Sequence, residues 1–134
     1  MSVAMRNTTL YIRTDKPEAE LYLKRNDEIV ASHKWHADRS LSDTILKSID
    51  TLLVSQEMQL TDVSHIIVYQ GPGSFTGLRI GISVANALAY GLGVPVVGLS
   101  GENWLEIQFD KEVRSSGPVL PFYGQDAHIT KPKK

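Results

Sequence analysis

The sequence of 134 residues contains no cysteine, which excludes disulfide bonds and thiolate chemistry and fits a reducing compartment. An excess of charge of one sign is also lacking, since 14 Lys and Arg balance 15 Asp and Glu. Because phosphate neutralisation needs clustered cations, this balance argues against a strong nucleic-acid binder acting alone. No segment approaches the roughly 20 apolar residues of a membrane span, and residues 1–7 lack the apolar core of a signal peptide. We therefore expect one soluble, cytoplasmic domain.

The hydrophobic pattern alternates between strand-like and helix-like periods, which predicts an α/β fold. Three short alternating runs in the first third are typical of an antiparallel meander. Two strand–helix–strand units follow, which favours a mixed sheet with helices packed on it, in the order β-β-β-α-β-α-β. The predicted strands are 8–14, 19–24, 28–35, 65–69 and 94–99, the predicted helices are 41–54 and 75–92, and 104–109 stays open between strand and short helix.

The first predicted helix carries one apolar stripe, so one of its faces is expected to be buried. Ser40 is predicted to cap its N-terminus, with Asp43 near the positive end of the helix dipole. The stripe residues are Leu41, Ile45, Ile49 and Leu52.

A glycine-rich corner joins the 65–69 strand to the second helix. Each glycine costs about 0.5–1 kcal/mol relative to alanine in regular structure, so the corner needs unusual backbone geometry or very close packing. Backbone N–H groups at a helix N-terminus can hold an anion, which makes a phosphate cradle one interpretation. No lysine precedes the Ser/Thr as in a Walker-type P-loop, and a structural tight turn is the alternative. The corner consists of Gly71, Pro72, Gly73, Ser74, Phe75, Thr76 and Gly77.

Small residues recur at every fourth position of the second predicted helix and form a ridge with almost no side chain. Another backbone can approach such a ridge closely, either the sheet below or a helix alongside. The helix is apolar nearly all round, so most of its sides must be covered. A buried core helix is one interpretation, and a partial protein–protein surface is the other. The ridge is Gly77, Gly81, Ala85, Ala89 and Gly93, and the polar stripe is Arg79, Ser83, Asn86 and Tyr90.

Residues 71–81 read GPGSFTGLRIG and are followed by further small residues and by PVVGLS at 95–100. This long motif closely resembles the signature of the bacterial TsaB (YeaZ-type) family. The resemblance covers residues 10–100 and implies the RNase-H-like (ASKHA) fold, one half of which has the predicted element order. It also implies a non-catalytic scaffold subunit that binds and supports a TsaD-type enzyme in making threonylcarbamoyladenosine (t6A) in tRNA.

The resemblance further implies which surfaces meet partners, because in the family the two helices of this half pair with the equivalent helices of TsaD. A related surface would allow a homodimer when that partner is absent. A TsaE-type ATPase is a further expected partner, and tRNA is reached indirectly through the complex. The contacts implied here are Leu41, Ile45, Ile49, Leu52, Arg79, Gly81, Ser83, Ala85, Asn86, Ala89 and Tyr90.

Two departures from the family pattern bear on catalysis. Arg13 stands where the first strand of the family has an Asp, which in ASKHA enzymes helps handle metal and nucleotide phosphate, and a guanidinium cannot ligate a cation. Residues 8–100 match the first ASKHA-like half, and 101–134 are expected to be a short linker and an extended C-terminal tail in a compact form without the second domain. We therefore expect no catalytic residue and no cofactor of the chain's own, with ATP or ADP and magnesium handled only within the assembled complex.

Two other functions stay open at this point. An autonomous nucleotide-binding ASKHA enzyme would use the glycine corner and Asp15, which lies two residues beyond Arg13. A stand-alone regulatory homodimer would use the helix surface alone. Micromolar binding of Mg-ATP by the isolated chain would favour the enzyme hypothesis. A stable dimer that binds no TsaD would favour the regulatory homodimer.

Other chemistry-bearing residues are read as structural. His33 and His36, with Asp38 nearby, have no further clustered ligand, so no metal site is expected. Ser74 has no His or Asp placed to activate it as a nucleophile. The basic end of the tail is expected to be a solvated terminus; its residues are Lys131, Lys133 and Lys134.

Overall fold

The computed structural model describes residues 7–26, 28–37, 40–73, 75–106 and 118–120. Within these residues the order of elements is the predicted one, and the α/β fold class is confirmed. The elements are β1 (Thr8–Arg13), β2 (Glu18–Arg25), β3 (Glu28–His36), α1 (Leu41–Val54), β4 (His65–Tyr69), α2 (Phe75–Leu92) and β5 (Val96–Leu99), with short 3-10 helices at Leu60–Asp62 and Trp104–Glu106.

A five-stranded mixed sheet organises the fold, in the strand order β3-β2-β1-β4-β5. The first three strands pair antiparallel, as the meander predicts. In contrast, β4 lies parallel to β1, and β5 lies parallel to β4. Parallel neighbours need a crossover connection, and α1 and α2 supply the two crossovers. The short apolar run of β4 therefore becomes an interior strand, which is almost wholly buried as predicted.

Both α-helices lie on one face of the sheet. α1 contacts β2 and β3, α2 contacts β1, β4 and β5, and the two helices contact each other. Because side chains alternate along a strand, Leu10 and Ile12 of β1 point to the helices, whereas Tyr11 and Arg13 point to the opposite face. Trp104 packs against Tyr11 on that opposite face, which we call the Trp104 face. The core is thus covered on both sides of the sheet.

Two predictions are corrected at the ends of elements. β5 begins at Val96 and not at Val94, because the N–H of Val94 donates to the carbonyl of Ala89 (3.0 Å) and so closes the end of α2. Ser40 does precede α1, but its side chain makes no capping bond to the helix. Its hydroxyl instead donates to the carbonyl of Ala37 (2.7 Å), which belongs to the turn before the helix.

Beyond β5 the structure describes residues 100–106 and 118–120. Residues 104–106 form a 3-10 helix, which selects the helical alternative there, and residues 107–109 lie outside the described part of the chain. None of the helices that the structure describes combines the length and the apolar character that spanning a bilayer requires.

Candidate functional site

The glycine corner lies directly on the carboxyl end of β1. Thr14, the residue after that strand, donates its hydroxyl to the carbonyl of Gly77 (2.7 Å) in the first turns of α2. A Cβ built on Gly77 would meet the carbonyl oxygen of Thr14 at 2.5 Å, and one built on Gly73 would overlap the Cβ of Asp15. Only glycine lets the corner approach β1 this closely, which supports the close-packing interpretation. Among the other corner residues, Gly71 is buried, and Pro72 and Thr76 are exposed.

Arg13 and Asp15 form a two-bond ion pair beside this corner. The guanidinium of Arg13 donates from Nε to Oδ1 of Asp15 (2.7 Å) and from Nη2 to Oδ2 (3.1 Å). The hydrogen bonds to Asp15 raise the pKa of Arg13, so the guanidinium stays charged. Its central carbon lies 3.9 Å from the centre of the Tyr69 ring, which is a cation–π contact. One packed side chain therefore engages both oxygens of Asp15.

The fold family implies magnesium and nucleotide phosphate at this end of the sheet, and the residues present do not fit the magnesium. Magnesium is bound through carboxylate oxygens, but both oxygens of Asp15 already accept hydrogen bonds from Arg13. The guanidinium also carries the same sign of charge as the metal. Within the described residues, no group of three or more His, Asp or Glu side chains converges on a cation position. The carboxylate at the corner is thus already paired with a cation.

Glu20 anchors a second polar cluster on the Trp104 face, opposite Arg13 in the register of β1 and β2. Its carboxylate accepts hydrogen bonds from the hydroxyl of Tyr22 (2.6 Å) and the ammonium of Lys16 (3.2 Å). Burial raises the pKa of Glu20, but these bonds and the charges of Lys16 and Arg13 outweigh it, so the pKa is lowered overall. Burial and the bond to Glu20 raise the pKa of Tyr22. The cluster therefore holds Glu20 ionised and Tyr22 neutral.

We expect the ionised Glu20 to make the stability of the fold sensitive to acid. A carboxyl whose pKa is lowered by folding stabilises the protein above its unfolded pKa, about 4.3, and loses that contribution as pH falls through the folded pKa. Glu20→Gln should therefore flatten the decrease in the urea midpoint between about pH 5 and pH 3. Glu18→Gln, at an exposed position of the same strand, is the matched control. Equal flattening in both variants would contradict this account.

Trp104 covers the sheet on the side away from the helices. Its indole meets three tyrosine rings edge-on, with ring centroids 5.7, 6.2 and 5.8 Å away. The ammonium of Lys24 donates to the carbonyl of Leu105 (2.5 Å) and holds the same 3-10 helix in place. The packed domain therefore extends beyond residue 100, where the sequence suggested a boundary. The three rings are those of Tyr11, Tyr22 and Tyr69.

The apolar stripe of α1 packs into the chain's own core. Its four residues are buried there, so they are not accessible to a partner while the domain is folded. The exposed apolar side chains of α1 are Leu46 and Val54, which sequence reasoning did not assign to a surface. The helical period was the available signal, because Leu46 follows the buried Ile45 by about 100° of rotation. The buried stripe residues are Leu41, Ile45, Ile49 and Leu52.

The small-residue ridge of α2 faces the chain's own sheet as well. Gly81 lies against the side chain of Thr14. Ala85 has an exposed fraction of 0 %, and Ala89 is also buried. The ridge lets α2 approach the end of β1 and is occupied within the domain. Gly81, Ala85 and Ala89 therefore leave the set of residues that can touch a partner.

The polar stripe of α2 is the part of the expected surface that stays accessible. Arg79 and Ser83 are exposed, and 90 % of Tyr90 is exposed. Asn86 differs, because its side-chain amide donates to the carbonyl of Val119 (3.0 Å) and accepts from the N–H of the same residue (2.9 Å). We call Arg79, Ser83 and Tyr90 the α2 stripe. It is the candidate site for a partner protein.

The remaining candidate residues do not form a site. His33 and His36 are three residues apart on β3, so strand alternation directs them to opposite faces. The ring of His33 stacks on Trp35 with centroids 5.2 Å apart. Several residues considered from the sequence lie outside the described part of the chain, or their side chains do: Asp38, Ser74, the side chain of Phe75, Lys131, Lys133 and Lys134.

Several known proteins similar to this chain are named for threonylcarbamoyladenosine biosynthesis or transfer. The family model "TsaD: tRNA N6-adenosine threonylcarbamoyltransferase" matches residues 28–114. The "tRNA threonylcarbamoyladenosine biosynthesis protein TsaB" of Bacillus subtilis is 33% identical over 93 residues, which are 69% of this chain and 41% of that protein. A "tRNA N6-adenosine threonylcarbamoyltransferase" of Geotalea uraniireducens is 45% identical over 95 residues, which are 69% of this chain and 28% of that protein.

A solved structure agrees with the sequence relatives. YeaZ from Pseudomonas aeruginosa aligns with a TM-score of 0.65 and 31% identity, covering 70% of this chain and 44% of that one. The chain therefore spans less than half the length of each of these relatives.

Proposed function

The chain belongs to the TsaB (YeaZ-type) family, and we propose that it is a non-catalytic subunit that binds a TsaD-type enzyme in tRNA t6A biosynthesis. The proposed contact is the α2 stripe together with the exposed Leu46 of α1. Both helices lie on one face of the sheet and contact each other, so their outer sides form a single layer. A second copy of this chain would compete for the same layer.

The ion pair of Arg13 and Asp15 is the observation that supports a non-catalytic role for this chain. Both carboxylate oxygens accept hydrogen bonds from one guanidinium, which is itself packed on the ring of Tyr69. A magnesium ion bound by Asp15 would either displace that guanidinium and leave it unpaired in a partly buried place, or lie beside it as a second cation, and both are unfavourable. This supports a subunit that acts by binding, with nucleotide chemistry left to the partner.

The residue types of the α2 stripe support the proposal that this surface binds a partner protein. Tyr and Arg are the residues that most often contribute large binding energies at protein interfaces. Tyr90 presents a rigid ring that is 90 % exposed, and Arg79 is on the same stripe. The exposed Leu46 adds apolar area from the neighbouring helix. A surface of this composition buries well against another helical layer.

The proposal is tested by reconstituting tRNA modification with a TsaD-type enzyme, with a TsaE-type ATPase present in every arm. We expect t6A to accumulate when this chain is present and to fall strongly when it is omitted. The chain alone should neither hydrolyse Mg-ATP nor bind it with micromolar affinity in a calorimetric titration. Micromolar binding of Mg-ATP by the isolated chain would contradict the non-catalytic part and favour an autonomous nucleotide-binding enzyme.

A further inference from the structure

A polar contact on the flank of α2 holds residues 118–120, which we call the strap. The amide of Asn86 bonds both to the N–H (2.9 Å) and to the carbonyl (3.0 Å) of Val119. Nε2 of Gln70 donates to the carbonyl of Leu120 (3.3 Å). Pro118 and Leu120 are exposed and Val119 is half-buried, an alternation typical of an extended segment. All three hydrogen bonds join side-chain amides to the main chain of the strap, so they recognise backbone rather than side chains.

Gly98 provides the space that the side chain of Val119 needs. A Cβ built on Gly98 would meet Cγ1 of Val119 at 2.6 Å and would overlap Oε1 of Gln70. Val119 itself packs against the hydrophobic core. The contact therefore has two parts, two amides that bind the backbone of an extended segment and a glycine that admits one apolar side chain beneath it.

We propose that Gln70, Asn86 and Gly98 form a peptide-binding clamp, that the strap is its occupant, and that this occupancy fixes the α2 stripe in the form that the partner binds. The last part rests on the proposed function. The clamp residues come from the end of β4, from α2 and from β5 respectively, so the strap joins three elements at one point.

The position of Asn86 explains why the strap affects the partner surface. Asn86 lies three residues after Ser83 and four before Tyr90, so the three residues are neighbours on one side of the helix. A side chain that is bound to the strap therefore stands in the middle of the α2 stripe. Asn86 thus acts as a positioning residue for the α2 stripe.

Hydrogen exchange on the full chain tests the clamp without any partner. Asn86→Leu removes both bonds at a similar side-chain size, and we expect the amide of Val119 to exchange about tenfold faster, which corresponds to roughly 1.4 kcal/mol. The amides of β1 and β4 should keep their rates. Gly98→Ala should have the same effect by filling the space of the Val119 side chain. Leu120→Ser is the matched control, because 73% of Leu120 is exposed and the clamp holds only its carbonyl.

Binding of the TsaD-type partner then tests the coupling. We expect Asn86→Leu and Gly98→Ala to weaken partner binding about tenfold and Leu120→Ser to leave the clamp intact. Unchanged exchange at Val119 in both variants would overturn the clamp. A released strap with unchanged partner affinity would overturn the coupling. If the wild-type chain does not bind the partner, the proposed function fails and the coupling fails with it, whereas the clamp is still judged by exchange on the isolated chain.

Discussion

Gly81→Ala is expected to lower the free energy of unfolding by about 2 kcal/mol, although alanine is normally the better helix former. The new Cβ would overlap the hydroxyl oxygen of Thr14 and lie 3.0 Å from its methyl carbon. Thr14 is buried, and its hydroxyl is already bonded to the carbonyl of Gly77, so it cannot rotate away without losing that bond. Urea denaturation followed by circular dichroism measures the loss.

Gly91→Ala in the same helix is the matched control and is expected to have the opposite sign. Among the described residues, a Cβ built on Gly91 meets no atom within 4 Å, so the helix preference of alanine decides the sign. That preference should stabilise the protein by roughly 0.5–1 kcal/mol. In a Thr14→Ala background the penalty of Gly81→Ala should shrink, because the two nearest contacting atoms, the hydroxyl oxygen and the methyl carbon, are gone. If both glycine variants are stabilising, α2 does not pack on β1 as described.

Ser83→Arg is expected to weaken binding of a TsaD-type partner by about a hundredfold, while the thermal midpoint of the isolated chain stays within error. Ser83 is exposed between Arg79 and Tyr90 on the α2 stripe. A long charged side chain there would be free in the monomer but would collide with, or be desolvated by, a helix packed on the α2 stripe. Calorimetric titration of the partner measures the change.

Ser32→Arg is the control for this variant, because it makes the same substitution at an exposed position of β3, away from both helices. It should leave the affinity unchanged. Equal affinities for wild type, Ser83→Arg and Ser32→Arg would remove the α2 stripe as the contact. Ala85→Arg, which the ridge pattern suggests from sequence alone, does not test the interface, since Ala85 is fully buried and the variant would unfold first.

The bounds of α2 were predictable from sequence, whereas the neighbour of its ridge was not. The helix ends where Gly93 adopts a φ of +71° and Pro95 prevents continuation, and both signals are local. The ridge of small residues predicts only that some backbone lies close to α2. That this backbone is the end of β1 depends on Thr14, which is 63 residues away from Gly77, and no local pattern carries that information.

The polar stripe of α2 shows the same limit of sequence-based prediction for surface residues. Alternation and helical period correctly predicted that Arg79, Ser83 and Tyr90 are outside the core. These patterns could not show that Asn86, unlike these three residues, is hydrogen-bonded within the domain. Its partner Val119 is 33 residues later in a segment without periodicity. The ion pair of Arg13 and Asp15 was also missed as a pair, although their spacing on one side of a strand end was visible.

Calorimetric titration of the wild-type chain into a purified TsaD-type enzyme measures directly whether this chain works by binding that enzyme. We expect saturable binding of one chain per enzyme subunit with micromolar or tighter affinity. Absence of saturable heat, from a chain whose fold is verified by circular dichroism in the same buffer, would contradict it.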